Sequence, residues 1–208
     1  MKKLALLSCC LLTFCLKPAG TALAPAHIWP PKVGEPYPNL KLMDQNGKRV
    51  SLASLKGKVI LIEPIGMTCP ACNAFSGANR KEIGRFAGIA PQQDLYSIEE
   101  TLPRYGGGAQ LSDDRIVYVQ LLLYSLQMKA PTPQDVKRWA EHFKLKNPKN
   151  RIVLAGEAYL IGQASYDMIP GFQLVDKNFI LRYDSTGHNP RHDLWQELLP
   201  AVPALLRE

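Results

Sequence analysis

The fold is decided by the stretch VILIEPIGMTCPAC, residues 59–72. Its first four residues, Val59 to Ile62, form a continuous run of β-branched and aliphatic side chains, which is typical of a central, parallel strand covered on both faces. Cys69 and Cys72 follow the carboxyl end of this strand, and residues 73–87 are predicted to form a helix. The order of strand, Cys-X-X-Cys and helix therefore predicts two thiols where a helix begins.

The rest of the chain alternates predicted strands with predicted helices, which indicates an α/β fold in one domain. Asn46-Gly47 favours a hairpin turn, and Thr132 followed by Pro133 favours a helix start. The predicted elements are a hairpin of residues 40–43 and 48–52, strands 116–123, 152–154, 172–175 and 179–183, and helices 133–143, 157–164 and 192–206. Residues 88–114 are expected to be a loop, with a short helix as the alternative, and Gly106 to Gly108 are expected to be a mobile flap.

The first residues of the chain have the pattern of a secretory leader. Lys2 and Lys3 precede an apolar run, residues 4–16, which is shorter than the roughly 20 residues that span a membrane. We therefore expect residues 1–26 to be a signal peptide and residues 27–208 to be a periplasmic or secreted domain with no stable membrane anchor. Lipid attachment at Cys9 is the alternative. The formal charge of +7 falls to +4 without the three lysines of the leader, and no basic run indicates nucleic-acid binding.

Five cysteines are present, and three of them, Cys9, Cys10 and Cys15, lie in the leader. The remaining pair gives the mature protein no framework of structural disulfides. Cys69 is predicted to lie at the positive end of the helix dipole, where a thiolate is stabilised, so it is the expected attacking thiol and Cys72 the resolving thiol. A reversible disulfide between them is the predicted redox centre, and no separate cofactor is needed.

Two other functions for this cysteine pair stay open. One is half of a zinc site completed by histidines, for which the chain offers His27, His142, His188 and His192. The other is a static disulfide. His188 and His192 are otherwise expected to be surface residues at the start of the last helix.

Several segments together resemble the redoxin branch of thioredoxin-fold proteins, including the TlpA/ResA-type periplasmic thiol-disulfide oxidoreductases. The segments are residues 33–40, 44–48 and 55–62, the motif Cys69-Pro70-Ala71-Cys72, and Ile169-Pro170-Gly171-Phe172. The resemblance implies a thioredoxin-like fold, with a central mixed sheet flanked by helices, an N-terminal β-hairpin and an inserted strand-helix unit. It also implies an enzyme that exchanges its dithiol with protein thiols or disulfides and with an upstream redox partner.

The same resemblance implies roles for individual residues. Pro170 would be a cis proline that faces the two sulfurs, and the Ile169 backbone would pair with the substrate strand. Glu63 would be a buried acid that accepts the Cys72 proton, although an exposed carboxylate at the end of the strand is the alternative. Thr68 stands where the family usually has tryptophan, and its hydroxyl is expected to cap the helix. Thr68 and Pro70 flank Cys69 and are the other expected substrate contacts.

More distant similarities to peroxiredoxins and to SCO-type copper proteins are weaker. Pro64 and Thr68 nearly match the peroxiredoxin pattern, but the cysteine that the pattern requires three residues after the threonine comes one position late, at Cys72. SCO proteins separate their cysteines by three residues and use a distant histidine, where this chain has Met168. Copper delivery remains the alternative function, because Met67 or Met168 together with the thiols would be a soft donor set suited to Cu(I). No resident metal ion is expected.

Overall fold

The computed structural model describes residues 29–145 and 150–208. The predicted signal peptide, His27 and the leader cysteines lie outside these residues, so the boundary at residue 26 stays a prediction. Within the described ranges, no helix has both the length and the apolar character that crossing a membrane requires.

Seven strands form one mixed sheet in the order β2-β1-β5-β4-β3-β6-β7. The strands are β1 (Lys41–Asp44), β2 (Arg49–Ser51), β3 (Val59–Gly66), β4 (Ile116–Tyr124), β5 (Arg151–Ala155), β6 (Gln173–Val175) and β7 (Leu181–Asp184). β3 pairs in parallel with β4, and β4 with β5, whereas the four outer pairings are antiparallel. The predicted central strand is confirmed, and every one of its eight residues is buried.

Helices cover both faces of this sheet. The helices are α1 (Pro70–Phe75), α2 (Ile98–Tyr105), α3 (Pro133–His142), α4 (Gln163–Asp167) and α5 (Leu199–Arg207). Successive strand residues point to opposite faces, and β3 accordingly divides its side chains between two cores. Ile60 and Ile62 join a core with Val136 and Trp139 of α3, whereas the other core contains residues of α2 and α5.

The helix predicted over residues 73–87 is wrong in its length. α1 begins earlier, at Pro70, and ends at Phe75, because Gly77 takes a positive φ of 107° and the Ala78 amide donates back to the Asn73 carbonyl at 2.9 Å. This closing bond ends the helix after less than two turns. α1 is therefore a short element whose function is to carry the cysteine pair.

The loop at residues 88–114 contains the short helix that the sequence allows, and two of the later predicted helices differ from the prediction. Residues 88–114 include α2, which a capping box between Ser97 and Glu100 starts, and Gly106 to Gly108 close that helix through amides bonded to Leu102 and Pro103. The predicted helix 157–164 is a single turn, Ala158–Leu160, followed by α4. The last helix begins with a π-helical turn, Leu194–Leu198.

Candidate active site

The two cysteines lie at the junction between β3 and α1, in different surroundings. Cys69 is the N-cap of α1, and its sulfur accepts a hydrogen bond from the Cys72 amide at 3.1 Å. Pro70 occupies the first helical position, where no amide hydrogen is needed. Both thiols are free, and Cys69 is partly exposed whereas Cys72 is completely buried.

These surroundings separate the acidities of the two thiols. A hydrogen bond from the Cys72 thiol, joined by bonds from the Cys72 and Ala71 amides, lowers the pKa of Cys69 against the opposing effect of burial. Burial raises the pKa of Cys72 well above its ordinary value, and the nearby Cys69 and Glu63 charges raise it further. Cys69 is therefore the more acidic of the two thiols and the first to ionise.

A cavity of about 500 Å³ opens in front of Cys69, and we call it the front cavity. Its walls are formed by Gly66, Thr68, Cys69, Pro70, Ala71, Gln92, Tyr124, Met128, Tyr166, Ile169, Pro170 and His188. A methyl group placed on Gly66 would contact both the Ile169 side chain, at 3.6 Å, and the Cys69 Cβ, at 3.9 Å. The structure therefore brings Cys69, Ile169 and Pro170 together, with Thr68 and Pro70 at the same cavity.

Pro170 follows a cis peptide bond, as the resemblance implies. The loop that carries it is held by close backbone contacts: the Gly187 amide donates to the Pro170 carbonyl at 2.7 Å. A side chain on Gly171 would lie 2.3 Å from the Ser185 carbonyl oxygen, and one on Gly187 would lie 2.3 Å from the Asp167 carbonyl oxygen. Both positions therefore require glycine if Pro170 is to stay at the cavity.

Glu63 is completely buried on β3, which rejects the alternative of an exposed carboxylate. Its Oε2 atom accepts hydrogen bonds from the Tyr118 hydroxyl and from Gln120 Nε2. Gln120 also bonds to the Ser76 hydroxyl at 2.8 Å and accepts from the Trp139 indole at 3.1 Å. We call these five side chains the rear cluster.

Burial dominates the acidity of this carboxyl group. Desolvation raises the pKa of Glu63 from 4.5 to about 8, although the hydrogen bonds from Tyr118 and Gln120 favour the charged form. The negative charge of Cys69 raises it slightly more. A carboxyl group with this pKa can both give and take a proton near neutral pH.

Comparison with solved structures identifies the architecture. An electron transfer protein of Aquifex aeolicus VF5, so described provisionally, superposes with a TM-score of 0.55 at 17% identity over 85% of this chain and 95% of that one. A thiol:disulfide interchange protein of a Bacteroides species gives 0.51 at 17% identity, over 86% and 92% of the two chains. The chain has a thioredoxin-like fold.

A third structure of this fold, provisionally described as a protein disulfide isomerase of Bacteroides thetaiotaomicron, gives a TM-score of 0.53 at 14% identity over 86% of this chain and 92% of that one. The sequence itself matches no protein-family model and no curated protein. The predicted fold class is thus confirmed, and the identities are low enough that the comparison with these structures speaks for the fold alone.

Thr68 does not have the role in this thioredoxin-like fold that the sequence suggests. The Cys69 sulfur caps α1, and the Thr68 hydroxyl instead donates to the Met128 sulfur at 3.4 Å. Met67 and Met168, the methionines considered as copper ligands, are buried in the core. The Met168 sulfur accepts from Gln173 at 3.7 Å. The methionine on the wall of the front cavity is Met128.

Within the described part of the chain, His142, His188 and His192 are dispersed and His27 lies outside it. His142 contacts the Gly84 carbonyl at 3.1 Å, and His192 accepts from the Asp184 amide at 3.0 Å. Among residues 29–145 and 150–208, no group of three or more His, Cys, Asp or Glu side chains is arranged to hold a metal ion. His188 is exposed, as expected, and it also lies on the wall of the front cavity.

Several residues of the front cavity and most of the rear cluster were not among the predicted site residues. Tyr124, Met128 and Tyr166 reach the front cavity from the end of β4, the loop after it and α4. Tyr118 and Gln120 could have been found, because they follow one another at a spacing of two in a strand that is otherwise apolar. Polar side chains in a strand buried on both faces require partners, and Glu63 is the charged residue in the neighbouring strand.

Proposed function

We propose that this protein is a thiol-disulfide oxidoreductase that exchanges the Cys69-Cys72 dithiol with protein thiols or disulfides. The observation that carries the proposal is the unequal pair itself. Cys69 has a lowered pKa and faces a cavity, and Cys72 has a raised pKa and is buried directly behind it. A static structural disulfide has no need of an accessible thiolate.

In the reductive direction, the Cys69 thiolate attacks one sulfur of a partner disulfide, and the partner's other sulfur leaves as a thiolate. Cys72 then loses its proton and attacks Cys69 Sγ. This second step forms the Cys69-Cys72 disulfide and releases the second partner sulfur as a thiolate. Two electrons pass to the partner, and reversal of the same steps oxidises partner thiols. The electrons reside in the protein's own sulfur atoms, so the reaction requires no dissociable cofactor.

The front cavity suits a polypeptide partner. Its walls are aromatic and aliphatic around Cys69, with Met128 and Tyr166 about half exposed. Ile169 and Pro170 lie beside the reactive sulfur, where the backbone of a partner strand can pair during the mixed disulfide. Thr68 and Pro70 complete the edge next to Cys69, and Glu63 exchanges the proton of Cys72.

The proposed location is the periplasm, or the space outside the cell, after removal of the leader. This part of the proposal depends on the basic and apolar pattern of residues 1–26 and on the loss of three cysteines with them. A dithiol that cycles in such a compartment needs an upstream partner to restore its redox state.

The test is to express the full-length Cys72→Ser variant in a bacterial host, because it retains the attacking thiol and cannot resolve. We expect it to accumulate mixed disulfides that disappear on reduction and that mass spectrometry resolves into protein partners. Cys69→Ser is the matched control and should trap none. Equal trapping by both variants, or a wild-type dithiol that stays unchanged in glutathione redox buffers, would overturn the proposal. Stoichiometric retention of Cu(I) without thiol exchange would favour copper delivery instead.

A further inference from the structure

The two oxygens of the Glu63 carboxyl group are not equivalent. Oε2 accepts from the Tyr118 hydroxyl and from Gln120 Nε2, at 3.1 Å in the latter case. Oε1 is fully buried and has no hydrogen-bond partner within residues 29–145 and 150–208. A buried oxygen without a partner is costly and calls for an explanation.

The orientation of the Gln120 amide is fixed by a group that can only donate. The Trp139 indole N–H donates at 3.1 Å to Gln120 Oε1, so the oxygen of the amide must face α3 and its nitrogen must face Glu63. Gln120 and Glu63 are also direct partners in the parallel pairing of β3 with β4. Nε2 is further placed by the hydroxyls of Tyr118 and Ser76, each at 2.8 Å.

An oxygen that accepts two hydrogen bonds from fixed donors is a poor place for a proton. When Glu63 is protonated, its hydrogen therefore resides on Oε1, the oxygen without a partner. Glu63 lies close enough to the cysteine pair for its charge to act on Cys72 and for the charge of Cys69 to act on Glu63. The free oxygen is thus the one available to a thiol.

We infer that Tyr118 and Gln120 are positioning residues that occupy Glu63 Oε2 and so reserve Oε1 for proton exchange with Cys72. This inference rests on the proposed function. As Cys72 attacks Cys69 Sγ in a mixed disulfide, its thiol proton passes to Oε1 of the Glu63 carboxylate. The S–S bond to the partner breaks, the partner leaves as a thiolate, and the Cys69-Cys72 bond forms. In the reverse step Glu63 returns the proton to Cys72.

The pH dependence of this step follows from the groups that face Glu63. They are Cys72 of α1, Cys69 at its N-cap and Tyr118 of β4, together with the neutral amide of Gln120. The Tyr118 hydroxyl stabilises the carboxylate form, so Tyr118→Phe should raise the pKa of Glu63 further. Less carboxylate would then be present at pH 7, and Cys72 would lose its proton more slowly.

The experiment follows a single turnover of the full-length reduced protein with an aromatic disulfide that releases a coloured thiolate. The first phase reports attack by Cys69 and the second reports resolution by Cys72. In Tyr118→Phe we expect an unchanged first phase, a second phase slowed about tenfold at pH 7, and a pH profile moved upward by about one unit. Gln120→Met should move the second phase in the same direction.

Tyr37→Phe is the matched control, because it also removes a buried hydroxyl, one that donates to Gln173 at 2.8 Å. Its second phase should coincide with that of the wild type. Carbon-13 NMR of the Glu63 carboxyl group gives an independent reading and should show a higher titration midpoint in Tyr118→Phe.

The possible failures are distinct. If the wild type resolves and Tyr118→Phe and Gln120→Met share its pH profile, the positioning roles are wrong and the oxidoreductase stands. A wild type with no second phase defeats the oxidoreductase and this inference with it. Should Tyr118→Phe not fold, the Gln120→Met profile decides.

Discussion

The front cavity and the rear cluster meet at the same pair of sulfurs and differ in almost every physical respect. Tyr166 and Met128, at the front, are 54% and 44% exposed, whereas Glu63 and Gln120, at the rear, are 0% and 1% exposed. The front is built from loops, two short helices and the ends of β3 and β4, and the rear mainly from paired strands. In the proposed function, a partner meets an exposed surface while the proton is exchanged in a buried interior.

The largest effect is expected when the reactivity of each thiol is measured in the absence of the other. In Cys72→Ser, Cys69 remains at the front, and in Cys69→Ser, Cys72 remains at the rear. We expect Cys69 to react with iodoacetamide at least about 100-fold faster than Cys72 at pH 7, because it is both more ionised and more accessible. Mass spectrometry of timed samples measures both rates. Equal rates would remove the distinction between the two regions.

Glu63→Gln tests the rear cluster alone. The variant keeps the volume of the side chain and loses its titration, so resolution by Cys72 should slow by about 100-fold. The wild-type rate should rise through an inflection near the Glu63 pKa of about 8, and the variant should lack that inflection. A stopped-flow record of the second phase across pH 6 to 10 provides the measurement, and an inflection that persists in the variant would assign it to another group.

The same variant should change how stability depends on pH. The pKa of Glu63 is raised in the folded protein, from 4.5 to about 8, so the carboxyl group holds its proton more tightly when folded. The contribution of Glu63 to the folding stability of the wild type should therefore be greatest below about pH 4.5 and should be lost as the pH rises to about 8. Glu63→Gln should lack this loss, so its free energy of unfolding should gain a few kcal/mol relative to the wild type at pH 9. Urea unfolding of both proteins at about pH 4.5 and at pH 9 would detect the difference. Parallel curves for the two proteins would contradict a buried, titrating acid.

At the front, Tyr166→Ala and Met128→Ala remove apolar surface without touching the sulfurs. The KM for a disulfide-bonded test protein should rise about fivefold to tenfold while kcat stays within about twofold. Tyr96→Ala is a matched control, since Tyr96 is similarly exposed and lines a different depression beside α2. A fall in kcat at constant KM would move these residues from partner contact to the chemistry.

The smallest effect is expected for Thr68→Val. The Thr68 hydroxyl bonds to the Met128 sulfur at 3.4 Å, and a thioether is a weak acceptor. The rate of exchange should therefore change by less than about twofold in the same assay. A larger loss would mean that this hydroxyl acts on Cys69 or on the partner directly.

The regular half of the molecule could be predicted from sequence, and the front cavity could not. Val59 to Ile62 and the cysteine spacing identify the strand, the junction and the helix start, because their pattern depends on neighbours in the chain. The cis Pro170 and the buried Glu63 were accessible only through resemblance to known proteins. Met128, Tyr166 and His188 meet through tertiary packing of two loops and α4, for which local sequence holds no signal. The length of α1 was mistaken because the turn at Gly77 outweighed the helical preference of the residues after it.

Gly171 and Gly187 hold the segment around Pro170 and the chain leading to His188 against one another. Each glycine packs so closely against the backbone of the other segment that a single added methyl group would force the two segments apart. These two segments of the cavity wall, although separated in sequence, therefore act as one structural unit. A mutation at either glycine, remote from both sulfurs, would widen the gap that a visiting polypeptide has to fill, while leaving the thiols and the acid behind them in place.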